Sequence, residues 1–207
     1  MLGETSDWPI VGGALVSTPN SRRSNNLVSR LHFRDALIHV EFELPKTGDG
    51  NNGVYRHGLY EIQILRSPTP PSRSKSDMGA VYGLHPPRTA AGLGPGKWQS
   101  LEICFRAPQT DSAGTLQSSG TITAWLNGRL IQDRAKIAEK ASDYNPDVYD
   151  TTPYIEQIHV RQRKTGIGPL ILQDHDSPVR FRNIWIKPLD DRAAYYNPPT
   201  GEVTRPD

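Results

Sequence analysis

Glu61 and Gln63 sit two residues apart in Tyr60-Glu61-Ile62-Gln63-Ile64. Successive side chains of an extended chain face opposite ways, so the acid and the amide share one face and the isoleucines share the other. Carboxylates, amides and imidazoles are the groups that move protons and bind hydroxyls. Such a face meets either water or a substrate, while the isoleucine face meets a core. Three of the six histidines lie in stretches dense in Tyr, Gly and Pro: His57, His85 in Tyr82-Gly83-Leu84-His85-Pro86-Pro87, and His175 after Gln173-Asp174. These stretches are read as rims of one site.

The elements that must hold this site alternate with period two. Ile38, Val40, Phe42 and Leu44 share one face of a strand over Asp35–Leu44, and His39, Glu41 and Glu43 the other. The spacing predicts that this strand offers the same kind of polar face as the Glu61 strand. Trp98–Ala107 turns Leu101, Ile103 and Phe105 inward and Ser100, Glu102 and Cys104 the other way, with Trp98 read as a core residue and Cys104 as an ordinary buried one. Trp8–Val16 reads as two short strands around Gly12-Gly13, and Leu27–Leu31 as another. Thr121–Leu126 and Arg129–Gln132 flank Asn127-Gly128, the strongest hairpin signal present. Gly168–Gln173 and Val179–Ile186 are the last strands, with Leu170 and Leu172 turned to the core and Ile171, Gln173 and His175 to the other side. A short helix is expected over Ala135–Ala141, and Ser142–Lys164 shows no readable period. Residues 1–190 are expected to form one domain and 191–207 a polar tail, through which copies of the chain can associate. The expected architecture is an all-β jelly-roll sandwich of two antiparallel sheets.

With 24 Lys and Arg against 22 Asp and Glu, the net charge is only +2 and no basic stripe interrupts the pattern. That argues against a nucleic-acid partner. No apolar run reaches membrane-spanning length, so membrane insertion is not expected, and the first residues do not read as a signal peptide. A single cysteine, Cys104, excludes an internal disulfide or a cysteine-cluster metal site.

Five segments in order then resemble a known family: Gly53-Val54-Tyr55 running to Gly58–Leu65; Gly79–Gly83; Lys97-Trp98-Gln99; Leu126-Asn127-Gly128; and Gly168–His175 followed by Val179–Ile184. Together they resemble the 3-keto-disaccharide hydrolase domain family of the concanavalin-A-like lectin/glucanase superfamily, over roughly Trp8 to Leu189. Arg66, Leu84 and Asp176 stand where members usually have Asp, Gln and Gly. The resemblance implies a jelly roll whose concave sheet binds an oxidised sugar as partner. A base removes the C2 proton beside a 3-keto group and the C1 substituent leaves, by elimination or net hydrolysis. It also implies bacterial origin and a periplasmic or secreted setting. The same scaffold serves lectins, so a non-catalytic carbohydrate-binding module is the alternative.

On that resemblance Glu61 is the general base or a metal ligand, and Gln63 a hydrogen-bonding partner of sugar hydroxyls. Glu41, on the matching face of the Asp35–Leu44 strand, is placed to supply a like charge that raises Glu61, and His39 lies there too as a substrate-binding candidate. His175 serves as acid, base or ligand, with Asp174 setting its tautomer. Gln173 faces the same way. Arg180 or Arg182 polarises the keto oxygen where enolate charge develops, unless both simply pair with carboxylates. Tyr55, His57, Tyr82 and His85 line the sugar. Glu61, His57 and His175 together suit a divalent ion, although no diagnostic spacing marks a metal site.

Overall fold

Strand alternation governs the fold. In the computed structural model, which describes residues 6–19, 25–67, 73–111, 113, 115–138, 153–196 and 203–204, β4 (Ala36–Glu43) buries every second side chain. Among the described residues fifteen strands and one helix follow in chain order. They are β1 (Ile10–Val11), β2 (Ala14–Val16), β3 (Leu27–Phe33), β4, β5 (Asn52–Arg56), β6 (Tyr60–Ile64) and β7 (Trp98–Arg106). Then come β8 (Gln109–Thr110), β9 (Leu116–Ser118), β10 (Gly120–Leu126), β11 (Arg129–Ile137), α1 (Pro153–Thr165), β12 (Gly168–Leu172), β13 (Arg180–Pro188), β14 (Ala193–Tyr196) and β15 (Val203–Thr204).

Two antiparallel sheets face each other. One has seven strands in the order β1-β2-β13-β4-β7-β10-β11, the other six in the order β15-β14-β3-β12-β5-β6, and β8-β9 form a small separate ribbon. This is the jelly-roll sandwich expected of the pattern. Ile38, Phe42, Leu101, Ile103, Phe105 and Ile122 from the first sheet meet Phe33, Val54, Ile62, Ile64, Leu170 and Leu172 from the second in one buried core. Asn127 and Gly128 turn the β10–β11 hairpin with φ of 53° and 73°, the left-handed pair that a two-residue turn needs.

Three expectations are corrected. Ala135–Ile137 belongs to β11, not to a helix, because its pairing with β10 continues past a bulge to Gly120↔Ile137; residues 139–141 lie outside the described ones. The unreadable stretch contains α1. Its mean hydropathy is low and its apolar residues are sparse, so periodicity alone could not announce it. The expected tail instead supplies β14 and β15, so the second sheet runs past residue 190. Ala193, Ala194 and Tyr196 are buried there, which gives this segment an apolar reason to pair with β3.

Tyr196 packs its ring on His32 at 4.4 Å, and Arg161 of α1 covers Tyr196 at 3.9 Å. His32 is fully buried, and both its ring nitrogens lack a hydrogen-bond partner among the described residues. Burial, with Arg161 and His57 nearby, lowers its pKa to about 3. His57, equally buried, is lowered to about 4 by burial, although its hydrogen bond to the Phe33 carbonyl opposes this. Both imidazoles are neutral in the fold, while the unfolded chain protonates them near pH 6.5. Stability is therefore full above pH 6.5 and falls as pH drops toward 4, at roughly 1.4 kcal/mol per pH unit per imidazole. Urea titrations from pH 7 to pH 4 should show the midpoint falling steeply, and His32→Gln should flatten that fall. An unchanged slope in the variant would contradict the assignment.

Candidate active site

β5 and β6 form the hairpin at one edge of the six-stranded sheet, with Val54 opposite Ile62 and Tyr55 opposite Glu61. Val54, Tyr60, Ile62 and Ile64 enter the core, so Gly53, Tyr55, Glu61 and Gln63 point outward. Ile171 of β12 pairs with Tyr55 on this outer face, and Ile158 of α1 packs on both. His159, next on the helix, meets the Gly58 carbonyl at 3.1 Å. The missed helix is thus a wall beside the acid.

Glu61 is only 5% exposed. Its Oε2 accepts a 2.9 Å hydrogen bond from the Tyr55 hydroxyl, which in turn accepts one from Gln173 Nε2 at 3.3 Å. Burial raises the Glu61 pKa to about 7; the Tyr55 hydrogen bond and the Arg56 charge oppose the rise. No second carboxylate is needed for this. A Cβ on Gly53 would stand 2.2 Å from Glu61 Oε1, so glycine here is what leaves room for the carboxylate.

The other expected site residues divide into groups. Gln173 and Tyr55 join Glu61 directly. Gln63 shares the outer face, but its amide nitrogen donates to Asn51 Oδ1 at 2.7 Å and to the Ile64 carbonyl at 3.1 Å, tying down the preceding loop. Tyr82 comes alongside β6 through its backbone, its N–H donating to the Glu61 carbonyl at 3.1 Å. Asp174 and exposed His175 occupy the loop leaving Gln173. The Asp174 backbone N–H is held by Asn26 at 2.7 Å, and burial raises the Asp174 carboxyl.

His57 is corrected from the sugar wall to the core. It turns with φ 57° at the hairpin end, and its ring lies between Phe33 and Phe105, 5.5 and 4.8 Å away. That removes it from any ion site with Glu61 and His175; among the described residues no group of three His, Cys, Asp or Glu stands ready to hold a metal. His85 is turned toward β11, where its Nε2 meets the Lys136 carbonyl at 2.7 Å. His39, Glu41, Arg180 and Arg182 are also corrected. They belong to β4 and β13 and point outward from the seven-stranded sheet, on the opposite side of the sandwich from Glu61.

Arg56 escaped the sequence reading. It is fully buried on the core side of β5, its Nη1 donating to the Val54 carbonyl at 2.6 Å, and burial lowers its pKa to about 9. Its position in register with core-facing Val54 was the available signal.

The sandwich that carries this outward acid shares its fold with known structures. Three crystal structures from Parabacteroides distasonis ATCC 8503, each described as a candidate glycosyl hydrolase, share the fold. The first aligns with a TM-score of 0.72 and 27% identity over 89% of this chain and 75% of that one. The second gives 0.59 and 19% over 91% and 86%, and the third 0.57 and 18% over 88% and 90%. No curated protein matches the chain. The profile of the 3-keto-alpha-glucoside-1,2-lyase-like domain matches residues 2–187, and to that family the chain belongs.

Proposed function

We propose that the protein is a carbohydrate-active hydrolase or lyase that cleaves 3-keto-glycosides, with Glu61 as the base at C2. The observation that carries this reading is the buried Glu61 carboxyl, raised to about 7 and hydrogen-bonded by Tyr55. A base works best when its pKa lies near the working pH, and ordinary carboxylates are too weak. Ordinary glycosidases use two carboxylates flanking the bond; among the described residues Glu61 has no carboxylate beside it on its face.

In the proposed reaction the ionised Glu61 takes the C2 proton, and the electron pair passes to the 3-keto oxygen as an enolate. Collapse of the enolate forms the C1–C2 double bond and breaks the C1–O bond. The leaving oxygen takes a proton from an acid, for which His175 is the candidate on the adjoining loop. Water adding across C1–C2 would complete a hydrolysis. Gln173 and the Gln63 carbonyl are placed to meet sugar hydroxyls.

The test supplies a 3-keto-glucoside and the matching unoxidised glucoside. Aglycone release is expected from the first only, slowed by deuterium at C2; release from neither, or from both equally, would overturn the reading. Tyr55→Phe removes the hydroxyl that favours the charged carboxyl. The acidic limb of kcat/KM should then move upward by roughly half to one pH unit. An unmoved limb would take Tyr55 out of that role.

A further inference from the structure

The outer face of the seven-stranded sheet, opposite Glu61, has a built arrangement of its own. β13 carries a one-residue bulge: Arg182 pairs with Glu41 and Trp185 with His39, so three steps on one strand oppose two on the other. Asn183, inside the bulge, has φ 46°, a conformation uncommon outside glycine that marks a constrained position. The bulge leaves Arg182, Asn183 and Trp185 all exposed, Trp185 at 45%. β2 pairs with β13 only at Arg180 and Phe181, so among the described residues no strand flanks Trp185 on that side.

These side chains are locked. The Trp185 indole stacks on His39 with centroids 5.3 Å apart and planes within 5°. His39 Nδ1 meets Glu102 at 3.2 Å, and its Nε2 meets Asn183 Nδ2 at 3.3 Å. Asn183 Nδ2 also donates to Glu41 Oε1 at 2.9 Å, while Arg182 Nε donates to Glu41 Oε2 at 2.6 Å. The Arg182 guanidinium lies 3.9 Å over Trp98, which is therefore half-buried on this face rather than in the core. Groups already held in place lose little entropy on meeting a ligand.

Charge and shape narrow the ligand. Arg180 pairs with Glu43 at 2.7 Å and Arg182 with Glu41 at 2.6 Å, and Glu102 meets His39, so acids and bases interleave and the face offers no strong positive field. Nucleic acid and anionic lipid need a basic field, so a neutral ligand fits better. The indole face turned away from His39 offers a flat apolar surface. The Asn183 carbonyl and both Arg182 Nη groups have no partner among the described residues and can meet hydroxyls. Apolar C–H faces with hydroxyl edges describe a pyranoside. Because of the bulge, Arg182 and Trp185 stand opposite Glu41 and His39, two steps or about 7 Å apart along the partner strand, which suits two linked rings.

We propose that the Trp185–Asn183–Arg182 face is a second, non-catalytic carbohydrate site that binds a neutral disaccharide unit on the side of the sandwich opposite Glu61. It does not depend on the reaction proposed above. The test follows the four tryptophan indole N–H signals of the full chain by NMR during separate titrations with maltose, cellobiose, trehalose and sucrose. Trp185→Phe identifies the Trp185 signal. With at least one sugar that signal should shift saturably in the wild type and in Glu61→Gln. Asn183→Ala or Arg182→Ala should weaken the binding read at the Trp185 signal at least tenfold, the Trp8 and Trp125 signals staying in place as the check on folding. Absence of any shift, shifts that survive both variants, or a Trp185 shift that follows protein concentration without sugar would overturn the proposal. The last result would show a second copy covering this face.

Discussion

Glu61→Gln is expected to lower turnover of a 3-keto-glucoside by about a hundredfold to ten-thousandfold, the usual worth of a positioned general base. The same change should make the protein more stable in alkali. Burial holds the Glu61 pKa at about 7, above the 4.5 of a free carboxyl. Between those values the folded chain retains a proton that the unfolded chain has released, so folding becomes less favourable as pH rises through that window. Above pH 7 the accumulated cost is roughly 3 kcal/mol. Glutamine resembles the neutral acid and carries no such cost. Denaturant midpoints of variant and wild type should therefore draw apart from pH 4.5 to pH 7 and run parallel above it. A catalytic loss without this divergence would mean that Glu61 is not buried as a charge. The divergence without catalytic loss would leave the burial intact and remove Glu61 from the reaction.

Gly53→Ala should damage the same group from behind. The added Cβ would stand 2.2 Å from Glu61 Oε1, 2.8 Å from Glu61 Cδ and 2.8 Å from Tyr55 Cε2. Gly53 has no unusual backbone angle, so the harm comes from space alone. Carboxylate and phenol must both shift, and a misplacement of about 1 Å can cost a hundredfold in rate. Overpacking of this kind also costs about 1–3 kcal/mol of stability. Gly128→Ala is the matched control. At Gly128 the φ is 73° with open space around it, so the alanine should destabilise the turn while leaving kcat/KM unchanged. If Gly53→Ala retains wild-type turnover, the carboxylate seen beside Gly53 is not the working base.

Much of this was legible in the chain. Alternation is a local property, so it named the inward residues of β4, β6, β7 and β12 and told which side chains share a face within one strand. Asn127-Gly128 declared its turn because few residues accept two successive left-handed angles. Parity put Glu61 and Gln63 on one face of their own strand, and the resemblance joined Gln173 to them. α1 stayed hidden because its apolar residues are too few to mark a period, and its contacts, Ile158 on the Tyr55 and Ile171 cluster, His159 at Gly58 and Arg161 over Tyr196, are all long-range.

Parity, however, says only which way a side chain points relative to its own strand. It does not say to which sheet that strand belongs. β4 and β6 carry the same alternating pattern, yet they lie in opposite layers of the sandwich, so their polar faces look in opposite directions. Sequence by itself therefore determined the jelly-roll class, the inward residues and the chemical types at the site. Long-range strand pairing alone decided that Glu61 answers to Tyr55 and Gln173, while His39, Glu41 and Arg182 gather around Trp185. The physical reason is that pairing partners are chosen by burial across the whole core, a condition no short stretch of chain contains.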